Sequence, residues 1–293
     1  MKKYYLLYSL LFVLPLHLKG QHRNPEYKMS IDTNQYSIIY RHKYFTDTVE
    51  KIPYYDNQVL EVGKKIYKFY SIFADRGDSV WNIAINRAKR PGKNHRDGID
   101  VNKEIGLNNN ERPVREYIYY NYPARNYITV SICIMNTDYV YEETVPKFDW
   151  KLHTDTATIL GYKCIKATTI FRGRDYEVWF TPFISIRQGP WKFNGLPGLI
   201  LKVSDTKGYF EWTAIEIENP QNRYIYIHEL DKQKIIVTDR KNVMKLQRKQ
   251  WDDHVGLIMS QGQKVMIRTK DGRFVPGYPG AYKFPYVPQF ELE

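Results

Sequence analysis

The stretch Tyr162–Thr181, which reads YKCIKATTIF-RGRD-YEVWFT, decides the fold class. Two runs of aromatic and β-branched residues flank the short polar loop Arg172–Asp175, and this arrangement is typical of a β-hairpin. Leu199–Val203 and Tyr209–Glu218 repeat the pattern around a second short turn. The sequence therefore predicts neighbouring antiparallel strands in this half of the chain.

The rest of the chain extends this sheet. The 26 tyrosines favour pleated, half-buried surfaces, and a change of apolar phase near Ala214 predicts a β-bulge. Helices are predicted from Asp78 to Lys89 and over 239–260. The sequence thus predicts an α+β, β-dominated fold, in which an antiparallel meander forms a curved open sheet or half-barrel with a few helices packed on it. Further strands are predicted at Tyr36–Phe45, Val59–Val62, Lys64–Phe73, Val114–Asn121, Tyr127–Ile134, Tyr139–Val145 and Asp149–His153.

The first residues have the pattern of a signal peptide. Lys2 and Lys3 precede a short apolar run, and a polar segment follows Gly20. We expect residues 1–20 to be removed near Gly20, although Leu18 is a poor residue for the −3 position. The remainder, 21–293, is expected to be a single β-rich domain with its motif core at 160–218, located in the periplasm or secreted. An N-terminal membrane anchor is the alternative.

The charge points to anionic partners. The formal net charge of +12 becomes +9 when the three lysines of the leader are removed. Such an excess suits phospholipid or lipopolysaccharide surfaces, and peripheral membrane contact is therefore expected. It would also suit nucleic acid, which export argues against, and a merely basic soluble surface is the third reading. No later segment has the roughly 20 apolar residues of a transmembrane helix.

The two cysteines, Cys133 and Cys164, raise the question of a disulfide. In an oxidising compartment a disulfide is the usual state of such a pair. Alternation along the two strands places each thiol on the less apolar face of its strand. Pairing and two separate thiols both remain open.

Gly189–Ile200, which reads GPWKFNGLPGLI, packs two tight turns into a few residues. Asn-Gly tolerates positive φ, and Pro-Gly fits the centre of a type II turn. In one interpretation the stretch only returns the chain to the sheet. In the other, it forms the rim of a ligand or partner site, with arginines of the preceding hairpin as anion contacts; that hairpin tip could equally be solvated. The candidate binding residues are Arg172, Arg174, Trp191, Phe193, Asn194 and Pro197.

This stretch resembles the GLPGLI family of exported bacterial proteins, named for the string Gly195, Leu196, Pro197, Gly198, Leu199 and Ile200. The segment Gly161–Cys164 and the arginine pair around Gly173 also fit that family, most densely over 160–218. The resemblance implies an exported protein, but no biochemical activity.

Sequence motifs of catalysis are absent: there is no HExxH, GxSxG, P-loop, GxGxxG or CxxC. We therefore expect no enzyme, no cofactor and no metal site. A curved sheet with an aromatic interior favours a periplasmic binding or carrier module for an apolar or amphiphilic envelope ligand. The alternative is an interaction protein that docks on an outer-membrane or secretion assembly. Lipid, peptide and envelope proteins are the expected partners, and nucleic acid is not.

Overall fold

The structure is a computed structural model of the 293-residue chain. It describes residues 28–46, 51–88, 101–135, 137–220, 223–228, 235–260, 262, 264–268, 273–281 and 290–292. The expected signal peptide, 1–20, lies outside these residues. Among the residues that are described, no helix is both long enough and apolar enough to cross a membrane. The division into a leader and one domain stays a prediction.

A large sheet dominates the molecule, as expected, and it is almost entirely antiparallel. Its strand order is β13-β6-β5-β4-β3-β2-β1-β11-β10-β9-β8-β7, with β12 also paired to β1 and β13 parallel to β6. A separate hairpin joins β14 and β15. The strands are β1 Lys28–Phe45, β2 Pro53–Gly63, β3 Tyr67–Ser71, β4 Glu116–Tyr120, β5 Tyr127–Ile134, β6 Thr137–Thr144, β7 Lys151–Ile159, β8 Tyr162–Phe171, β9 Arg174–Thr181, β10 Leu199–Asp205, β11 Phe210–Glu218, β12 Tyr224–His228, β13 Ile235–Val237, β14 Met266–Arg268 and β15 Phe274–Pro276.

The loop of the β8–β9 hairpin is shorter than the predicted loop Arg172–Asp175. Only Arg172 and Gly173 separate β8 from β9, and both have positive φ, 46° and 78°. Two such residues define the type I′ turn, whose twist matches that of the flanking strands. The predicted bulge in β11 is also present, because Ile39 pairs with Glu216 while Tyr40 pairs with Ala214.

In the part of the chain that the structure describes, four helices accompany the sheet: α1 Ile72–Ala88, α2 Val101–Glu104, α3 Arg240–Asp252 and α4 His254–Ser260. The predicted start of α1 at Asp78 is wrong, because the Ser71 hydroxyl accepts from the Ala74 amide and begins the helix earlier. The helix predicted over 239–260 is two helices. Asp253 leaves the helical conformation and its carboxylate accepts from the Gly256 amide, so that it ends α3 and caps α4.

Contacts across the sheet show that it is strongly curved. Nine strand-to-strand steps separate β6 from β8, which would be about 43 Å in a flat sheet. Nevertheless, Arg172, directly after β8, lies 2.5 Å from the Glu143 carboxylate of β6. The sheet therefore wraps around its buried face without closing into a barrel. The buried residues on that face form the main hydrophobic core.

Candidate functional site

The Gly189–Gly198 loop enters the curve of the sheet and fills it. Trp191 stacks near Trp212 of β11, with ring centroids 6.3 Å apart, and its carbonyl oxygen accepts a short hydrogen bond from Tyr120 of β4. Phe193 is completely buried. Burial of two large rings provides several kcal/mol of hydrophobic stabilisation, about 1.5–3 for each. The loop is therefore a structural part of the core as well as the return to the sheet.

The expected rim of aromatic side chains is wrong in its geometry. Trp191 is only 2% exposed and Phe193 is buried, because the concave sheet surrounds them. Asn194 is half-buried, and its amide donates to the carbonyl oxygens of Pro146 and Lys192. Pro197 is exposed. Ligand binding by these four residues stays a prediction.

The expected anion contacts at the hairpin are also different in the structure. Arg174 is buried and pairs with Asp205 at 3.2 Å. Arg172 pairs with Glu143 and with Glu291, each at 2.5 Å. Both guanidinium groups thus neutralise carboxylates of the protein itself, and neither lies at a solvated tip.

Lys192 is the centre of an ion cluster that joins the two ends of the sheet. Its ammonium is 1% exposed and lies 2.8 Å from Glu143, 2.6 Å from Glu291 and 2.9 Å from the Tyr141 hydroxyl. Arg240 of α3 adds a contact of 2.6 Å to the second oxygen of Glu291. Burial alone would lower the pKa of Lys192, but Tyr141 and the two carboxylates outweigh burial and raise it. Lys192 is therefore held in its charged form.

A cavity of about 600 Å³ lies next to this cluster, between the sheet and α3. Its size is within the range of small-molecule sites. Charged residues reach it from the segment 112–116, from α3 and from Glu291. Aromatic residues that line it are Tyr44, Phe45, Tyr141, Trp191, Phe210, Trp251 and Phe290.

Glu116 is the acidic side chain of the sheet that lines this cavity. It lies opposite Ile132 at the start of β4 and is only partly exposed. Burial raises the pKa of Glu116 to about 7; Lys192 lowers it, and the charges of Glu291 and Glu143 raise it further. A carboxyl with this pKa exists in both protonation states near neutrality, so it can donate and accept a proton.

The sequence contained a signal for Glu116 that was missed. Glu116, Ile118 and Tyr120 alternate onto one face of β4, and the last two belong to the core. A carboxylate on an otherwise apolar face is expected to have a perturbed pKa. No motif marks it, because its surroundings come from distant parts of the chain.

His42 was also missed. It is completely buried and stacks on Trp212 at a centroid distance of 4.3 Å. Burial lowers its pKa to about 3, so the ring is neutral and serves as a flat aromatic filler.

The cysteines are not joined. Cys164 is fully buried in the core, whereas Cys133 is only half-buried, and both are thiols. Eight strand-to-strand steps separate their strands in the sheet. Within the described residues, no group of three or more His, Cys, Asp or Glu side chains is placed to hold a metal ion.

Comparison with known proteins changes the interpretation. The family model described as "N-glycanase peptide, N-terminal domain" matches residues 99–240, slightly less than half of the chain. Two solved structures of PNGF-II, in different crystal forms, have 16% and 17% sequence identity with it and a TM-score of 0.44 each. They cover 74% of this chain, which spans only about a third of theirs (34% and 33%). No curated protein matches significantly.

These findings correct three expectations. The proposed GLPGLI family is wrong, since the matching family is the N-glycanase N-terminal domain. The carrier or docking role and the absence of an enzyme are contradicted by the same match, which points to a family of glycan-processing enzymes. The cavity also differs from an acyl-chain site, because it is lined by Glu116, Glu291 and cationic side chains as well as by aromatic rings.

Proposed function

We propose that this chain acts in the processing of asparagine-linked glycans, by hydrolysis of the linkage between glycan and peptide. The observation that carries this proposal is Glu116, a carboxyl with a pKa of about 7 that lines a cavity of about 600 Å³. It lies within the region 99–240 that matches the N-glycanase domain. The family match and the chemistry of the cavity therefore both support a role for the region that contains Glu116.

Hydrolysis at such a linkage requires one proton donor and one proton acceptor. Water adds its oxygen to the carbon of the carbon–nitrogen bond, and that bond breaks with its electron pair on nitrogen. Protonated Glu116 supplies the proton that the departing nitrogen needs. The resulting carboxylate takes the proton that the attacking water gives up, so Glu116 ends as it began.

The other residues that line the cavity suit the sugar rings and the peptide of a glycopeptide. Aromatic rings such as Trp251 and Tyr141 offer flat apolar surfaces to the apolar faces of sugar rings. Of the partners expected from the sequence, a peptide fits this proposal as the carrier of the glycan. Secretion or a periplasmic location, which the basic and apolar start of the chain supports, would place the protein where extracellular glycoproteins occur.

The test is incubation of the purified chain with a fluorescent N-glycopeptide between pH 5 and 8, with release followed by mass spectrometry. We expect release that is fastest below pH 7 and slows as the pH rises through 7, because Glu116 must start in its protonated form, and a loss of about 100-fold or more for Glu116→Gln. Glu216→Gln, at an exposed position of β11, is the matched control and should keep the wild-type rate. Absence of release by the wild-type chain, or full activity of Glu116→Gln, would contradict the proposal.

A further inference from the structure

One face of α3 carries three cations that line the cavity. Lys241, Lys245 and Arg248 are separated by four and three positions, which places them on the same side of the helix. All three are exposed. In the described part of the chain, no ion pair involves any of them. An unpaired cationic stripe beside a cavity attracts anions.

The other side of the cavity adds to this positive potential. Arg112 and Arg115 line it from the segment before β4, and Arg115 also pairs with Asp78 at 3.0 Å. Among the described residues that line the cavity, two carry carboxylates. Glu291 is already neutralised by Lys192, Arg172 and Arg240. Glu116 is partly protonated near neutrality.

We propose that the α3 stripe, formed by Lys241, Lys245 and Arg248, binds an anionic group of the glycan, so that acidic sugars are the preferred substrate class. This inference rests on the proposed function, because that function makes a glycan the ligand. The attraction between the stripe and an anionic group does not depend on catalysis. Carboxylate and sulfate groups share the required chemistry, since Lys and Arg bind both.

The experiment compares the binding of three N-glycopeptides that share one peptide: sialylated, sulfated, and neutral after removal of the acidic groups. Binding is measured by calorimetry in the Glu116→Gln background, which keeps the ligand intact, and is repeated with wild type and the free glycans. We expect an acidic form to bind about tenfold more tightly than the neutral form at low salt, as three weak exposed charge contacts would give. This preference should shrink as salt rises.

The variant that tests the stripe is Lys241→Ser/Lys245→Ser/Arg248→Ser, and we expect it to bind acidic and neutral forms equally. Lys249→Ser is the control, because Lys249 is exposed on the same helix but does not line the cavity. Equal affinity of the wild-type chain for all forms overturns the inference, even if glycan release occurs. An acidic preference without release supports the inference while the proposed function fails. Equally tight binding of an oligonucleotide of similar charge would overturn it.

Discussion

Two groups of charges adjoin the same cavity and differ in their burial and in their pairing. The Lys192 cluster is buried, and each of its charges has a partner at hydrogen-bond distance. The α3 stripe is exposed, and none of its three cations forms an ion pair with another residue that the structure describes. Charges that satisfy one another hold a structure together, whereas charges left open remain available to a ligand. Glu116 lines the same cavity; burial raises its pKa, and the charges of the Lys192 cluster modify it.

The strongest test of this difference is Lys192→Met. The change leaves the buried Glu291 and the half-buried Glu143 with one cation fewer, and we expect a loss of about 3 kcal/mol in the free energy of unfolding. Lys202→Met is the matched control, since Lys202 pairs with Glu211 at the surface and should cost less than about 1 kcal/mol. Urea denaturation of both variants provides the comparison. Equal losses of unfolding free energy in the two variants would show that burial of the cluster adds nothing to stability.

The backbone of the loop comes next. A Cβ on Gly198 would lie 2.0 Å from the Thr181 carbonyl oxygen, at a φ of +156°. Gly198→Ala should therefore destabilise the fold by about 2–4 kcal/mol. Gly208→Ala has open space around it at a φ of +71° and should cost only about 1 kcal/mol. A smaller loss at Gly198 than at Gly208, in thermal unfolding, would mean that the loop adapts.

The pH dependence of stability isolates Glu116. Its pKa rises from 4.5 to about 7 on folding, so the protonated form stabilises the fold below pH 4.5 and this contribution is lost as the pH rises through 7. The difference in unfolding free energy between wild type and Glu116→Gln should fall by about 1–3 kcal/mol over this range. Asp56, whose pKa burial also raises to about 7, titrates in both proteins and cancels. A constant difference across pH 4–8 would show that Glu116 has an ordinary pKa.

The smallest effect is expected from reductant. Because Cys133 and Cys164 are separate thiols, dithiothreitol should leave Tm unchanged. Two thiols per chain should react with a thiol reagent after unfolding without reductant. A rise in the thiol count on reduction would mean that a disulfide forms.

The features of the fold and of the site that the sequence predicts are those formed by residues close together along the chain. The β8–β9 hairpin and the β11 bulge follow from neighbouring residues, and the sequence identified both. The cavity combines β4, α3 and Glu291, which only the curvature of the sheet brings together. The burial of Trp191 was missed for the same reason: an aromatic residue beside Gly and Pro looks exposed until the distant strand β4 is placed over it.

The Lys192 cluster also has a consequence for the lifetime of the folded state. Its partners are separated by 29, 49, 99 and 119 positions, and such long-range contacts form slowly. If the two ends of the sheet meet after the rate-limiting step of folding, Lys192→Met speeds unfolding by about 100-fold and leaves the folding rate unchanged. Stopped-flow kinetics in urea give the folding and unfolding rates separately. Slower folding of the variant than of the wild type would mean that the cluster is already formed in the transition state. On this view the ends of the sheet are joined last, and their junction determines how long each molecule stays folded.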